Sequence, residues 1–293
     1  MRLAMGLPTH LGAPPDPGLV LQWARLADEA GFSSLAVHDR PNHWTWEPLA
    51  ALAAVASITQ RARLMTSALL LPPRPEGLVA KQAAVVDQIS GGRLDLGVAL
   101  GARPVDFDTL GGPFEGRGAR FDRQLQRLGE LWAGASAGDD DISGPPPVQR
   151  PGPPLWIGGY TDRAIRRAVR YGSGYMMGAA GSEVMAKRAT EVREHAAEHG
   201  RTLNVAGMAY IAFGAAEQTA ERAQRELLRY YGTLRRPFED MVHRGDADAL
   251  EAQLDEYRVA GLDLLILMPT IPELAQLESI AGELLPRLGS VSD

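Results

Sequence analysis

One unbroken stretch limits the possible folds more than any other: RLMTSALLLPPRPEGLVAKQAAVVDQISGGRLDLGVALGAR, from Arg63 to Arg103. Leu64–Leu71 is apolar apart from Thr66 and Ser67 and shows no polar alternation. A strand of that kind is covered on both faces, as strands of parallel sheets are. A helical segment follows, Gly91-Gly92 closes it, and a second apolar strand begins at once. Strand, helix, glycine stop and strand form a right-handed parallel crossover in nearly all proteins. A parallel sheet is therefore expected.

The same alternation runs through the whole chain. Arg2–Pro8 reads as a first strand, Leu19–Ala30 as an amphipathic helix ended by Gly31, and Ser34–Val37 as a second strand before a helix over Glu47–Gln60. Strands three and four lie in the opening stretch. Gly101–Gly118 reads as irregular, Arg120–Trp132 as helix, and Gly134–Pro154, with three consecutive aspartates and several prolines, as a surface excursion. LWIGG from Leu155 is a fifth strand, followed by a helix at Asp162–Tyr171, a sixth strand at Gly174–Met177 and a helix at Ser182–His199. Val205–Phe213 is a seventh strand and Glu217–Tyr230 its helix. Extra helical material follows around Pro237–Ala260, then an eighth strand, Leu264–Met268, and a last helix, Ile271–Leu285. Eight βα repeats in 293 residues predict an α/β fold, a (β/α)8 TIM barrel forming one domain over residues 1–293. Insertions are expected after strand four, before strand five and before strand eight. A doubly wound sheet would stop sooner.

Composition removes several classes of function. A net charge of −6 and a pI near 5.6, with 30 scattered basic residues, argue against a nucleic-acid partner. Without a cysteine there is no disulfide, thiolate nucleophile or thiolate-bound metal. No apolar run approaches the roughly 18 residues of a membrane helix, and MRLAMGLPTH has no signal-peptide pattern. No membrane partner and a cytoplasmic location are expected. His195 and His199 have metal-ligand spacing on a charged helix, but no third ligand is apparent, and no metal is expected.

Four segments, in order, carry a resemblance to a known family: ADEAGFSSLAVHD; TQRARLMTSALLLPPRPEGLVAKQAAVVDQISGGRLDLGVALG; FEGRGARFDRQLQRLGELW; and PPLWIGGYTDRAIRRAVRYGSGY. The chain resembles the bacterial-luciferase-like flavin- or F420-dependent oxidoreductases over nearly its whole length. The resemblance implies a cofactor ring, reduced FMN or coenzyme F420, at the mouth of the barrel beside His38, Asp39, Arg40, His43 and Trp44. Members often carry a histidine where this chain has Arg40. Two assignments stay open: His38 or His43 serves as general acid or base, or Asp39 and Arg40 form an ion pair that orients the substrate. Thr66, Ser67 and Ala68 fall where the family commonly has a non-proline cis peptide behind the ring, expected here between Ser67 and Ala68. Gly158, Gly159, Tyr160, Thr161 and Arg163 match the phosphate loop, where a helix N-terminus offers free N–H groups. Met177 and Gly178 border the same site, and Arg103, Asp106, Arg117 and Arg120 lie in a loop that lines it in the family.

The activity this resemblance favours is that of a two-component monooxygenase. It would take FMNH2 from a separate flavin reductase and insert one oxygen atom of O2 into a small organic substrate. No second dinucleotide fingerprint is evident, since GVALG is a poor match to GxGxxG. The alternatives are hydride transfer with F420, to which Asp39 and Trp44 point, and a non-catalytic flavin-binding barrel. The family also implies a homodimer. YYGTLRRPFEDMVHR, from Tyr230 to Arg244, reads as a lid or an interface segment.

Overall fold

The computed structural model describes residues 1–11, 14–134, 144–233 and 237–288. Its first half runs β1 (Arg2–Gly6), α1 (Pro17–Ala30), β2 (Ser34–Val37), α2 (Pro48–Ala56), β3 (Arg63–Thr66), β4 (Leu69–Leu70), α3 (Glu76–Ser90), β5 (Leu94–Ala99), α4 (Pro104–Leu110) and α5 (Arg117–Trp132). The second half runs β6 (Leu155–Gly158), α6 (Asp162–Tyr171), β7 (Gly174–Ala179), α7 (Ser182–Glu198), β8 (Asn204–Phe213), α8 (Glu217–Tyr231), β9 (Val242–Gly245), α9 (Ala247–Val259), β10 (Leu264–Pro269) and α10 (Leu274–Ser279).

The sheet closes on itself. Parallel pairing runs β1–β2–β3–β5–β6–β7–β8–β10, and β10 returns to β1, with Leu264 opposite both Arg2 and Ala206. These eight parallel strands with flanking helices are a TIM barrel. β4 resumes the third barrel strand and pairs with β5, while β9 adds a parallel partner to the outer end of β8.

Alternation along each strand divides the core in two. Ala4, Ala36, Met65, Trp156, Met176 and Met208 pack in the barrel interior. Leu3, Met5, Leu35, Val37 and Leu64 point the other way and pack with the helices. Interior space is tight at Gly97, where a Cβ would lie 2.0 Å from the Thr66 carbonyl oxygen.

Beyond small shifts of element ends, such as a last helix that is α-helical over Leu274–Ser279 and then a π-helical turn over Ile280–Leu284, the structure departs from the sequence expectations at four places, each with a local cause. Strand three is not continuous: it breaks at Ser67-Ala68, whose peptide bond is cis, as the resemblance implies. α2 ends at Ala56 rather than Gln60, because the Asp28 carboxylate takes the backbone N–H groups of Gln60, Arg61 and Ala62. The loop read as irregular holds α4, started by Pro104, anchored by buried Phe107 and ended by Gly111 at φ 73°. The segment read as extra helix before the last strand contains β9 as well as α9. The excursion Gly134–Pro154 and the run Tyr230–Arg244 lie partly outside the described residues.

Candidate active site

At the C-terminal ends of the strands, where barrel enzymes keep their sites, two cavities share a wall. The first, of about 480 Å3, is lined by Ser67, Ala68, Gly158, Gly159, Tyr160 and Thr161, among others. The second, of about 560 Å3, is lined by Arg40, Arg103, Asp106, Tyr230 and Tyr231. Asp39, Leu70, Ala102, Tyr160, Gly178 and Met208 border both. Each volume falls in the range of about 300–1,000 Å3 usual for small-molecule sites.

Small residues shape the floor of the first cavity. Ala68, Ala99 and Gly158 meet there so closely that a Cβ on Gly158 would lie 3.3 Å from that of Ala99 and 3.5 Å from that of Ala68. Gly159 has φ 155°, and a Cβ on it would sit 2.7 Å from that of Ala164, so the turn into α6 needs glycine. The Tyr175 hydroxyl donates to the Gly159 carbonyl at 2.5 Å and holds this turn from behind. Thr161 caps α6 by accepting from the Ala164 N–H, and the earliest N–H groups of that helix have no partner within it. Arg117 and Arg167 also line this cavity, Arg117 donating to the Gly101 carbonyl at 3.2 Å and Arg167 paired with Asp122 at 2.6 Å. A mostly apolar cavity that ends at a glycine turn and a helix N-terminus with free N–H groups fits a tricyclic ring with a phosphate tail.

Asp39 sits between the cavities, and its partner is Arg74 rather than Arg40. Arg74 reaches both carboxylate oxygens, at 2.6 and 3.1 Å, while the Leu70 N–H donates to one of them at 2.8 Å. Burial pushes the Asp39 carboxyl above its ordinary value, and the Arg74 guanidinium pulls the other way. The Asp39–Arg40 ion pair considered from the sequence does not form.

Beneath Tyr230 lies a histidine cluster. The His38 ring stacks on Tyr230 with centroids 5.8 Å apart, while His10 and His43 meet it edge-on at 5.3 and 5.0 Å. His38 Nδ1 lies 3.0 Å from the Ser67 carbonyl. A carbonyl only accepts, so Nδ1 carries the proton and Nε2 holds the lone pair. Burial pushes His38 down to about 4 and His10 well below its usual value, so both rings are neutral near pH 7. None of the three histidines lines either cavity.

The other residues singled out in the sequence divide in the same way. Met177 borders the first cavity while packing in the helix-side core. Thr66 stands behind the wall, its hydroxyl donating to the Gly97 carbonyl at 2.6 Å. His43 Nε2 lies 3.3 Å from the Arg229 carbonyl. Trp44 is 61% exposed and lines neither cavity. Arg163 lines a neighbouring cleft with Arg166 and Arg170, which meets the first cavity at Arg167. Arg120 is occupied with the carbonyls of Pro72, Pro113 and Glu115. Sequence reasoning missed Arg74, Arg167 and His10. Arg74 was visible inside the RPEG of the family stretch, and Arg167 lies one helical turn beyond the arginine chosen. Among the described residues, His195, Glu198 and His199 have metal-ligand geometry, on the surface far down the chain from this site; Glu198 is the third ligand that spacing alone did not reveal.

Residues 1–263 match the profile of the luciferase-like monooxygenase family, and the chain belongs to that family. Among its relatives is an uncharacterized protein of Mycobacterium tuberculosis strain H37Rv, 32% identical over 211 residues that cover 61% of this chain and 72% of the relative. Another is the oxygenase component of the flavin-dependent trigonelline monooxygenase of Acinetobacter baylyi, 26% identical over 52% of this chain and 46% of that protein. The fold is shared with monooxygenase RslO1 of Streptomyces bottropensis, at TM-score 0.81 and 23% identity over 99% of this chain and 100% of that one. It is shared equally with the F420-dependent tetrahydromethanopterin reductase of Methanopyrus kandleri, at TM-score 0.80 and 18% identity over 98% of this chain and 99% of that one. The protein is thus an oxidoreductase by family, and its fold is one shared by FMN- and F420-dependent enzymes. No helix among its described residues is long and apolar enough to cross a membrane.

Proposed function

We propose that the protein is the oxygenase component of a two-component flavin-dependent monooxygenase acting on a small organic substrate. The observation that carries this reading is the common wall of the two cavities, which sets a planar cofactor slot against a second chamber able to receive a substrate. Reduced FMN would supply the electrons that activate O2, so that one oxygen atom enters the substrate and the other leaves as water.

In this reading the chain's own residues bind, orient and exclude water. Ser67 and Ala68 back the ring, Gly158–Thr161 receive the phosphate, and Tyr160 and Met208 stand between the ring and the second chamber. Asp39, fixed by Arg74, presents a rigid carboxylate edge to both chambers. Placing His43 and Trp44 among the catalytic residues has less support, since neither lines a cavity. The trigonelline enzyme's designation as an oxygenase component supports a separate reductase as partner. Oxygen uptake with FMN, NADH and a flavin reductase, and its absence when the reductase is omitted, tests the assignment.

Hydride transfer with F420 is the second reading, favoured by the fold shared with an F420-dependent reductase and by Asp39 at the cavity wall. The exposure of Trp44 weighs against it. For assembly we propose a homodimer. Leu78, Val85 and Ile89 recur at i, i+7 and i+11 on α3 and are 53%, 38% and 48% exposed, an apolar stripe suited to a second copy.

A further inference from the structure

We propose that the substrate chamber is built for an organic anion, a carboxylate in chemical class, which docks on the guanidinium of Arg40. The inference rests on the reading of the second cavity as the substrate side of the site.

Arg40 is only 8% exposed, and its Nε and Nη1 atoms are buried with no hydrogen-bond partner. Its guanidinium carbon lies 4.7 Å from the centre of the Tyr230 ring, which supports a cation from one face but cannot accept its N–H groups in the plane. A buried cation without an acceptor is costly, and proteins retain one where a partner supplies the missing charge.

Neither acid of the chamber makes an ion pair with Arg40. Asp39, its neighbour in sequence, is held by Arg74 through both oxygens. Asp106 shares the chamber, but one of its oxygens accepts the Asn42 N–H at 3.2 Å, and no ion pair joins it to Arg40 among the described residues. Arg103 lines the chamber too, so with Asp39 neutralised by Arg74, two guanidinium groups face the single carboxylate of Asp106. The excess of one positive charge matches a monoanion. A carboxylate suits it best, because the planar guanidinium fork offers two parallel N–H donors to two coplanar oxygens.

The cofactor phosphate is not the missing anion. Arg40 lines the second cavity alone, whereas the Gly158-Gly159 turn and Arg167 line the first. Tyr230 and Tyr231 would flank the apolar body of the ligand once its carboxylate is on Arg40.

Isothermal titration of the full chain with benzoate against benzamide, and phenylacetate against phenylacetamide, tests the proposal, since each pair differs in charge and hardly in shape. The expected result is at least tenfold tighter binding of one or both acids over the amide, kept in part by Arg40→Lys and abolished by Arg40→Met. Arg40→Met should also melt a few degrees higher than wild type without ligand, because it removes an unpaired buried charge; a role of Arg40 in packing alone would lower the melting temperature. The proposal is overturned if neither acid is preferred to its amide, or if Arg40→Met keeps the preference. Titration of the same variants with FMN separates the two levels of inference. Loss of FMN binding in Arg40→Met would put the residue on the cofactor and overturn the proposal. Arg40-dependent carboxylate binding in a protein that takes up neither FMN nor F420 would support the anion site and refute the monooxygenase reading.

Discussion

Arg74, on the loop after β4, grips Asp39, at the end of β2, through two contacts of 2.6 and 3.1 Å, and both side chains are almost wholly buried. The pair joins the second and third barrel strands at the point where the two cavities meet. Removing one partner of such a pair leaves a charge with no solvent and no counter-ion, at a cost of about 3–5 kcal/mol, whereas removing both costs far less. Arg74→Met should therefore lower stability to urea by about that amount, and Asp39→Asn combined with Arg74→Met should recover most of it. Additive losses in the double variant would show that the two residues act independently.

Two glycines should respond to alanine in opposite ways. At Gly97 the new methyl group would meet the Thr66 backbone oxygen at 2.0 Å, and the strand itself would have to move. A loss of about 3 kcal/mol is expected on urea unfolding. At Gly178 the obstacle is the Tyr160 hydroxyl at 2.6 Å, the far end of a side chain that can swing aside into the shared wall of the cavities. Gly178→Ala should fold with nearly wild-type stability and bind FMN about tenfold more weakly, which fluorescence quenching would measure.

The buried histidines set the response to acid. His38 is pushed down to about 4 by burial, against about 6.5 in an unfolded chain. A depressed pKa means that the stabilising contribution is complete above pH 6.5 and disappears as the pH falls from 6.5 to about 4, a change of about 3 kcal/mol at most. His10, shifted in the same direction by burial and by His38, adds to the loss. Urea midpoints between pH 8 and pH 4 should fall in that window. His38→Gln keeps a donor for the Ser67 carbonyl and should remove a share of the fall; an unchanged slope would locate the titrating groups elsewhere.

The apolar stripe on α3 predicts the behaviour of the chain in solution. Leu78→Glu with Ile89→Glu puts two like charges into a face that would be buried between copies, so light scattering should report a dimer for wild type and a monomer for the variant. A wild-type monomer at micromolar concentration would remove the assembly proposal.

The fold is legible because its strands and helices advertise themselves: the strand Ser34–Val37 and the helix Asp162–Tyr171 fall where the sequence puts them, to the residue, and Gly91 and Gly31 stop their helices in the left-handed conformation that glycine favours. Helix ends set from a distance were not legible. α2 stops early because of Asp28, a residue on another helix. For the site, small residues and the glycine turn could be read from local motifs, since their role is to leave room. Charge pairing could not. Asp39 and Arg40 are adjacent in sequence, yet one turns to Arg74 and the other to Tyr230, and both partners are distant along the chain. Arg163 and Arg167 share one helix, and only the packing of α6 against α5, where Arg167 bonds Asp122, decides which of them reaches the cavity.

Whether the barrel mouth holds a flavin is decided by titrating the purified protein with FMN and, separately, with F420, followed by absorbance, in wild type and in Gly159→Val. A side chain at position 159 collides with Ala164 and distorts the turn that the account assigns to the phosphate. Wild type should bind FMN saturably, oxidised or reduced, and the variant should bind it at least tenfold more weakly with its circular dichroism unchanged. Binding of neither cofactor to wild type, or undiminished FMN binding by Gly159→Val, would contradict it.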